Sequence, residues 1–470
     1  MVGNIFAYVM LLIWPMVTWI AYRRFDPAQA LIFCLLGGYM FLPPLVAFDL
    51  PMIPGLDKNN MASFSALAAS MFLLKDRISF LPEGVLGKLL MIAFLLCPLP
   101  TMLTNTDPVP IFGTALPAIR LYDAIVFFLE QSIALIPFIL GRHYLSDAAG
   151  MDKICKSLVV AGLIYSVPIL YEARMSPQLN VMFYGFFQHD FVQSIRYGGF
   201  RPFVFMPHGL WVAFFAFMCF AAAAVRYRVA DPSQRGKALI ALIYLCVILI
   251  FCRSMGPWIY ALILGGGILI MPRRLQMMVA VSMVAVALFY PMLRSAQIIP
   301  IESLISNSHS LDQERGQSLA FRIMNEELLL KHALERPWFG WGGFGRNLLY
   351  DAYSGQMNVI SDGGWIISLG MYGWFGYLAE FGLLALPIFS LWAVGRRVGM
   401  RQLTPAACTV TLILAANIFD LLPNDTQIPF TWLLVGATLG YAERLKAGRS
   451  VDDTEVIAPP PAAVRRRTVI

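Results

Sequence analysis

The chain has 470 residues, is 59% hydrophobic and 13% charged, and has a mean hydropathy of +0.68. Soluble domains carry about 25% charged residues, so these figures exclude a soluble fold and point to an all-α, polytopic membrane protein. The formal charge of +7 is no nucleic-acid signature, because the basic residues sit in short loops between apolar runs.

Crossing roughly 30 Å of hydrocarbon takes about 17 to 25 apolar residues, and such runs recur along the whole chain. In chain order, spans are predicted at 4–21, 28–48, 61–74, 85–104, 121–140, 154–171, 203–225, 238–252, 255–271, 275–292, 366–394, 404–422 and 427–443. That makes about thirteen transmembrane helices. Pro43 and Pro44 should kink the second. The first run has no basic leader or cleavage site and is expected to be retained as a span. The alternation of an outer-membrane barrel is absent, and no internal repeat suggests an inverted-repeat transporter. The seven cysteines, Cys34, Cys97, Cys155, Cys219, Cys246, Cys252 and Cys408, read as small buried hydrophobes.

Sidedness follows from the basic residues. Arg23 and Arg24, Lys75 and Arg77, Arg142 and Lys153, Arg226 to Lys237, Arg273 and Arg274, and Arg396 to Arg401 fall in alternate loops. Placing these loops in the cytoplasm turns the N-terminus and a long polar insert outward. The chain then divides into N-terminal transmembrane helices (1–292), an extracytoplasmic insert (293–361), C-terminal transmembrane helices (362–443) and a disordered cytoplasmic tail (444–470). The tail carries Arg465, Arg466 and Arg467, which suit anionic headgroups.

Within the insert, Ser310 and Gln313 have capping-box spacing, which predicts a helix running to about Arg336, where Pro337 stops it. Arg315 and Arg322 lie two turns apart and share a face with Glu326. An Arg322–Glu326 pair on a solvated face, worth about 0.2–0.5 kcal/mol, is the plain alternative to a ligand site. The segment from Pro337 to Gly345 follows, rich in glycine and in aromatics such as Trp341. It suits either sugar C–H surfaces or a membrane interface.

Three outward segments carry arginines where the positive-inside rule should deplete them: Arg196 and Arg201 before His208, Arg253 at a span end, and Arg315 with Arg322. Arginine's planar fork matches phosphate oxygens bidentately, so a lipid-linked phosphate or diphosphate is the expected ligand. Candidate bases facing outward are Asp362, Asp190, His189, His208 and His309. Asp362, where the insert re-enters the membrane, can accept a hydroxyl proton or cap the next helix. Glu130 and Glu380, inside apolar spans, are functional candidates by position. No D-x-D motif points to a metal-bound diphosphate, and no metal or other cofactor is expected.

The ordered set of Gly199-Phe200-Arg201-Pro202, Arg253-Ser254 and Arg322 ahead of Pro337 to Gly345 resembles the O-antigen ligase and O-antigen polymerase superfamily of bacterial inner membranes. The likeness is strongest over Arg196–Trp211, Leu249–Trp258 and Arg322–Gly376, about a fifth of the chain. Ligases of that superfamily carry a His-Asn pair where the insert re-enters the membrane. Here the stretch reads Ser361-Asp362-Gly363-Gly364, similar to the polymerase-like branch that assembles exopolysaccharides and capsules. The resemblance implies a metal-independent inverting glycosyltransferase using undecaprenyl-diphosphate-linked oligosaccharides. Combined with the outward arginines and candidate bases, it gives Asp362, Arg322 and Arg201 as the expected catalytic residues, and Arg253, Arg196, Arg315, His208, Trp341 and Arg346 as the expected substrate-binding ones. The implied partners are that lipid-linked substrate, the membrane lipid, and a chain-length regulator or export machinery. A ligase acting on a lipid or protein acceptor, and a flippase for lipid-linked oligosaccharides, are the competing readings.

Overall fold

The computed structural model describes residues 3–49, 53–296 and 313–448. It is almost entirely helical: two short hairpins, at Val109–Leu116 and Ile195–Phe200, make up its sheet. Among the described residues eight helices are long and apolar enough to cross a membrane, and three shorter apolar helices accompany them. The protein is an all-α membrane protein.

Seventeen α-helical elements are numbered here in chain order. The membrane-length ones are α1 (Ile5–Arg24), α4 with α5 (Val85–Leu96, Pro98–Leu103), α6 (Leu121–Tyr144), α7 (Ala148–Met175), α9 (Gly209–Arg228), α10 (Pro232–Phe251), α13 (Arg273–Ser295) and α15 (Gly364–Val398). Shorter ones are α2 (Pro27–Phe41), α3 (Lys58–Ala69), α8 (Leu179–Tyr184), α11 (Met255–Tyr260), α12 (Gly266–Ile270), α16 (Pro405–Asp420) and α17 (Pro429–Lys446). Helix α14 (Gln313–Glu335) belongs to the insert.

Several expected boundaries move. Helix α2 ends at Phe41 instead of kinking at Pro43 and Pro44, because the residue before a proline is pushed out of the α region. The expected span at 203–225 starts only at Gly209 and leaves Arg201 to His208 as a loop. The last helix runs to Lys446, past the expected start of the tail. Ser310 and His309 lie outside the described residues.

Helices α9, α16 and α17 are buried on nearly all sides and form the centre. Helix α17 meets α6 backbone to backbone: a Cβ on Gly436 would collide with the carbonyl of Phe138, and one on Gly440 with that of Arg142. This small-xxx-small contact is how apolar helices pack closely when lipid offers no competing hydrophobic drive.

The basic loops share one face. Lys153 pairs with Asp26 at 2.6 Å, Arg226 with Asp152 at 2.7 Å, and Arg142 with Glu443 at 2.9 Å. Arg228 donates to the carbonyls of Ile268 and Met271, and Arg273 to that of Arg401. These contacts join the loops that the basic-residue pattern groups together. Helix α14 docks at the other end of α13 from Arg273, where Glu326 pairs with Arg294.

Helix α15 is broken at Gly373, whose φ of 63° no helix accommodates. The segment Pro337–Gly342 is spliced into the break. Trp341 and Gly342 donate their N–H groups to the carbonyls of Gly370 and Met371, while Trp374 and Phe375 donate to those of Pro337 and Trp338. The freed backbone groups are thus satisfied by protein, the condition for non-helical backbone at membrane depth. Gly340, at φ 68°, and Gly373 permit this approach, because a Cβ on either would strike the opposing backbone.

Candidate functional site

The loop ahead of α9 begins with a hairpin pairing Ile195 with Phe200 and Arg196 with Gly199. Its two turn residues, Tyr197 (φ 51°) and Gly198 (φ 68°), are both left-handed, as a type I′ turn requires. The tyrosine-glycine-glycine run between Arg196 and Phe200 is the sequence signal for that turn. Arg253, itself at φ 48°, clips the hairpin from α10 by donating Nη1 to the carbonyls of Arg196 and Tyr197, both at 2.7 Å. It therefore holds the hairpin through the very donors assigned to substrate.

Arg201 follows the hairpin. Its side chain is 8% exposed, and its stem crosses the start of α9, where any Cβ on Gly209 would collide with it. Nη2 makes one long bond, 3.4 Å, to the carbonyl of Arg253, and Nε has no partner. Among the described residues no carboxylate lies at ion-pair distance. Burial, and then the charges of Arg196 and Arg322, bring its pKa down to about 10.

His208 caps α9. Its Nδ1 accepts the N–H of Leu210 at 3.1 Å, and its Nε2 lies 3.2 Å from the Gln193 Oε1. This fixes a neutral tautomer with Nε2–H donating. Burial, then Arg201, His189 and Arg322, hold its pKa down at about 3. Both ring nitrogens are occupied, so His208 is no general base. His189 packs edge-on against it at 4.6 Å and accepts the N–H of Asp190 on its own Nδ1. Among the described residues no three metal-ligating side chains gather.

The insert supplies Arg322. Helix α14 docks onto α13 through Glu326, which accepts from Arg294 Nε at 3.0 Å and from Tyr290 Oη at 2.9 Å. Glu326 is therefore Arg294's partner and not Arg322's. Arg322 instead places Nε 3.2 Å from Asp362 Oδ2, with both side chains just over a third exposed. Its charge acts on Arg201 and His208, so Arg196, Arg201, His208, Arg322 and Asp362 share one electrostatic neighbourhood. Arg315 lies in α14, its side chain outside the described set.

Two expected binding residues belong to the splice. Arg346 is 1% exposed and donates to the carbonyls of Trp341, Asp107 and Pro117 and to Asn105 Oδ1, at 2.8–3.1 Å. No fork is left for a phosphate. Trp341 donates Nε1 to the His332 carbonyl, stacks on the His332 ring at 4.3 Å and carries the Arg336 guanidinium 4.2 Å from its centroid. It holds the segment in place and offers no open platform to a sugar.

Residues that the sequence reading passed over anchor the site from behind. Glu172, Lys58, Gln188 and Tyr165 grip the turn between Arg201 and His208. A buried acid at the end of an apolar span was the available signal for Glu172; nothing local marks Lys58. No protein-family model matches this chain, and no curated protein matches it.

Proposed function

We propose that the cluster binds the anionic head group of a lipid-linked substrate, and that the protein is a glycosyltransferase of the O-antigen polymerase type. One observation carries the reading: Arg201 is buried, under-bonded and surrounded by like charge. A buried cation is expensive unless paired, and a diphosphate would give it charge-assisted bonds that the protein does not supply. The ordered motifs around Arg201, Arg253 and Arg322 resemble that superfamily and supply the substrate class, undecaprenyl-diphosphate-linked oligosaccharide. The alternation of basic loops supports an outward-facing site on the bacterial inner membrane.

In the proposed reaction an acceptor-sugar hydroxyl attacks the anomeric carbon of the lipid-linked donor. The new C–O bond forms on the face opposite the breaking C–O bond, so the configuration inverts. The bonding pair leaves with the diphosphate, and its growing charge falls on Arg201, Arg196 and Arg322, preorganised donors of the kind worth about 3–4 kcal/mol each. The hydroxyl proton passes to Asp362, whose Oδ2 holds Arg322 and whose other oxygen accepts it.

Deleting the gene and analysing surface glycans tests this. Accumulation of single repeat units supports the polymerase; long lipid-bound polymer identifies a ligase. Loss of intermediates from the outer face identifies a flippase and defeats the enzyme reading.

A further inference from the structure

We propose that Glu172 and Lys58 are positioning residues for the anion site, acting through the Phe203–Met206 turn that joins Arg201 to His208. This rests on the anion-site reading above. Glu172, at the end of α7, is 1% exposed, and Lys58, in the first turn of α3, is 4% exposed. Neither takes part in a side-chain ion pair among the described residues. Two buried ionisable side chains without an ion-pair partner are costly unless hydrogen bonds satisfy them, and here the bonds converge on one turn.

Glu172 Oε2 accepts the N–H groups of Phe203 and Val204 at 2.8 and 2.7 Å. Lys58 Nζ donates to the Phe205 carbonyl at 3.0 Å and to that of Tyr39 at 2.9 Å. Gln188 Nε2 donates to the carbonyls of Val204 and Met206 at 3.1 and 3.0 Å, and the Phe205 N–H reaches Tyr165 Oη at 3.2 Å. Met206 N–H closes the turn on the Phe203 carbonyl at 3.0 Å. Every backbone donor and acceptor of Phe203 to Met206 is thus engaged, nearly all by side chains from α3, α7 and the loop before the hairpin.

Val204 shows what this grip sustains. Its φ is 51°, a left-handed conformation that a β-branched residue adopts only when its surroundings over-determine it. Strained, fully bonded backbone is an unusual way to pass from a hairpin into a helix. It is a good way to fix a cation and a neutral imidazole at its two ends.

The test uses the full-length protein purified in detergent, with inorganic diphosphate as the probe. Affinity is read from diphosphate-dependent stabilisation against thermal unfolding. The native protein is stabilised and Arg201→Ala is not. Glu172→Gln, Lys58→Met and Gln188→Met each weaken diphosphate affinity about tenfold, the worth of one charge-assisted hydrogen bond. In an Arg201→Lys background the same changes add no further loss, since they act through Arg201. Gln188→Met introduces no charge and serves if a charge-removing variant fails to fold. A lowered melting temperature with diphosphate affinity unchanged in these variants overturns the positioning role and leaves the anion site standing. No diphosphate effect on the native protein, or an undiminished one in Arg201→Ala, overturns the anion site itself.

Discussion

Arg346 and Arg201 are both buried arginines, yet one has spent its donors and the other has not. Arg346 stitches the spliced segment to the loop around Asn105 and Asp107 through four protein acceptors. Arg201 holds one long bond and faces Arg196 and Arg322. The same residue type therefore serves opposite ends, and the count of satisfied donors separates them. The surroundings follow suit. The Pro337–Gly342 segment gives its backbone to mending α15, whereas the loop at Phe203–Met206 has its backbone held by side chains from elsewhere, and Arg201 beside it keeps unfilled donors.

The comparison breaks most visibly at Arg201. Arg201→Ala should cut glycan transfer by about 10²–10³-fold while leaving thermal stability equal or raised, because an unpaired buried charge is removed. A melting temperature that collapses with activity would place Arg201 beside Arg346 as a structural residue. Asp362→Asn comes next. Loss of a general base should lower the rate about 10²-fold, with diphosphate binding nearly intact. Asp362 is not the cap of α15, whose N-cap is Gly363 with no side-chain cap bond, so full activity would remove Asp362 from proton transfer.

Arg346→Met should show the reverse of Arg201. Stability falls on the order of 3 kcal/mol, because buried acceptors lose their donors. Transfer per folded molecule is retained, as measured by thermal melts alongside product formation.

A further expected effect concerns pH. His208 titrates at about 3 in the folded protein, below the roughly 6.5 of a free imidazole. The unfolded chain binds the extra proton between those values. The stability His208 contributes is therefore present above about 6.5 and is lost as pH falls toward about 3. The rate profile should show no inflection from His208 between pH 5 and 8. An inflection there that vanishes in His208→Asn would show that the ring is not held neutral.

Much of the scaffold was legible in the chain. The stop of the insert helix before Pro337 and the outlying arginines are local features. The grouping of basic loops was equally readable, and the ion pairs of Asp26, Asp152 and Glu443 now join those loops on one face. The site was legible only in part. Arg201, Arg196 and Arg322 stood out because arginine is rare where they sit. Arg253, Arg346 and Trp341 carried the same signal and turned out to hold backbone.

The sequence by itself determined that this is a helical membrane protein, that a polar, arginine-bearing stretch interrupts its apolar runs, and which residue types could meet an anion. Hydropathy, periodicity and proline stops are properties of neighbours in the chain, so they survive without a fold. Only the tertiary structure decided which arginines remain unbonded, that α15 is broken and mended at Gly373, and that Glu172 and Lys58 grip the turn behind the site. A hydrogen-bond donor is satisfied or left vacant by groups brought from far along the chain: Asn105 for Arg346, Phe205 for Lys58, nothing but a distant carbonyl for Arg201. No local pattern can keep that account.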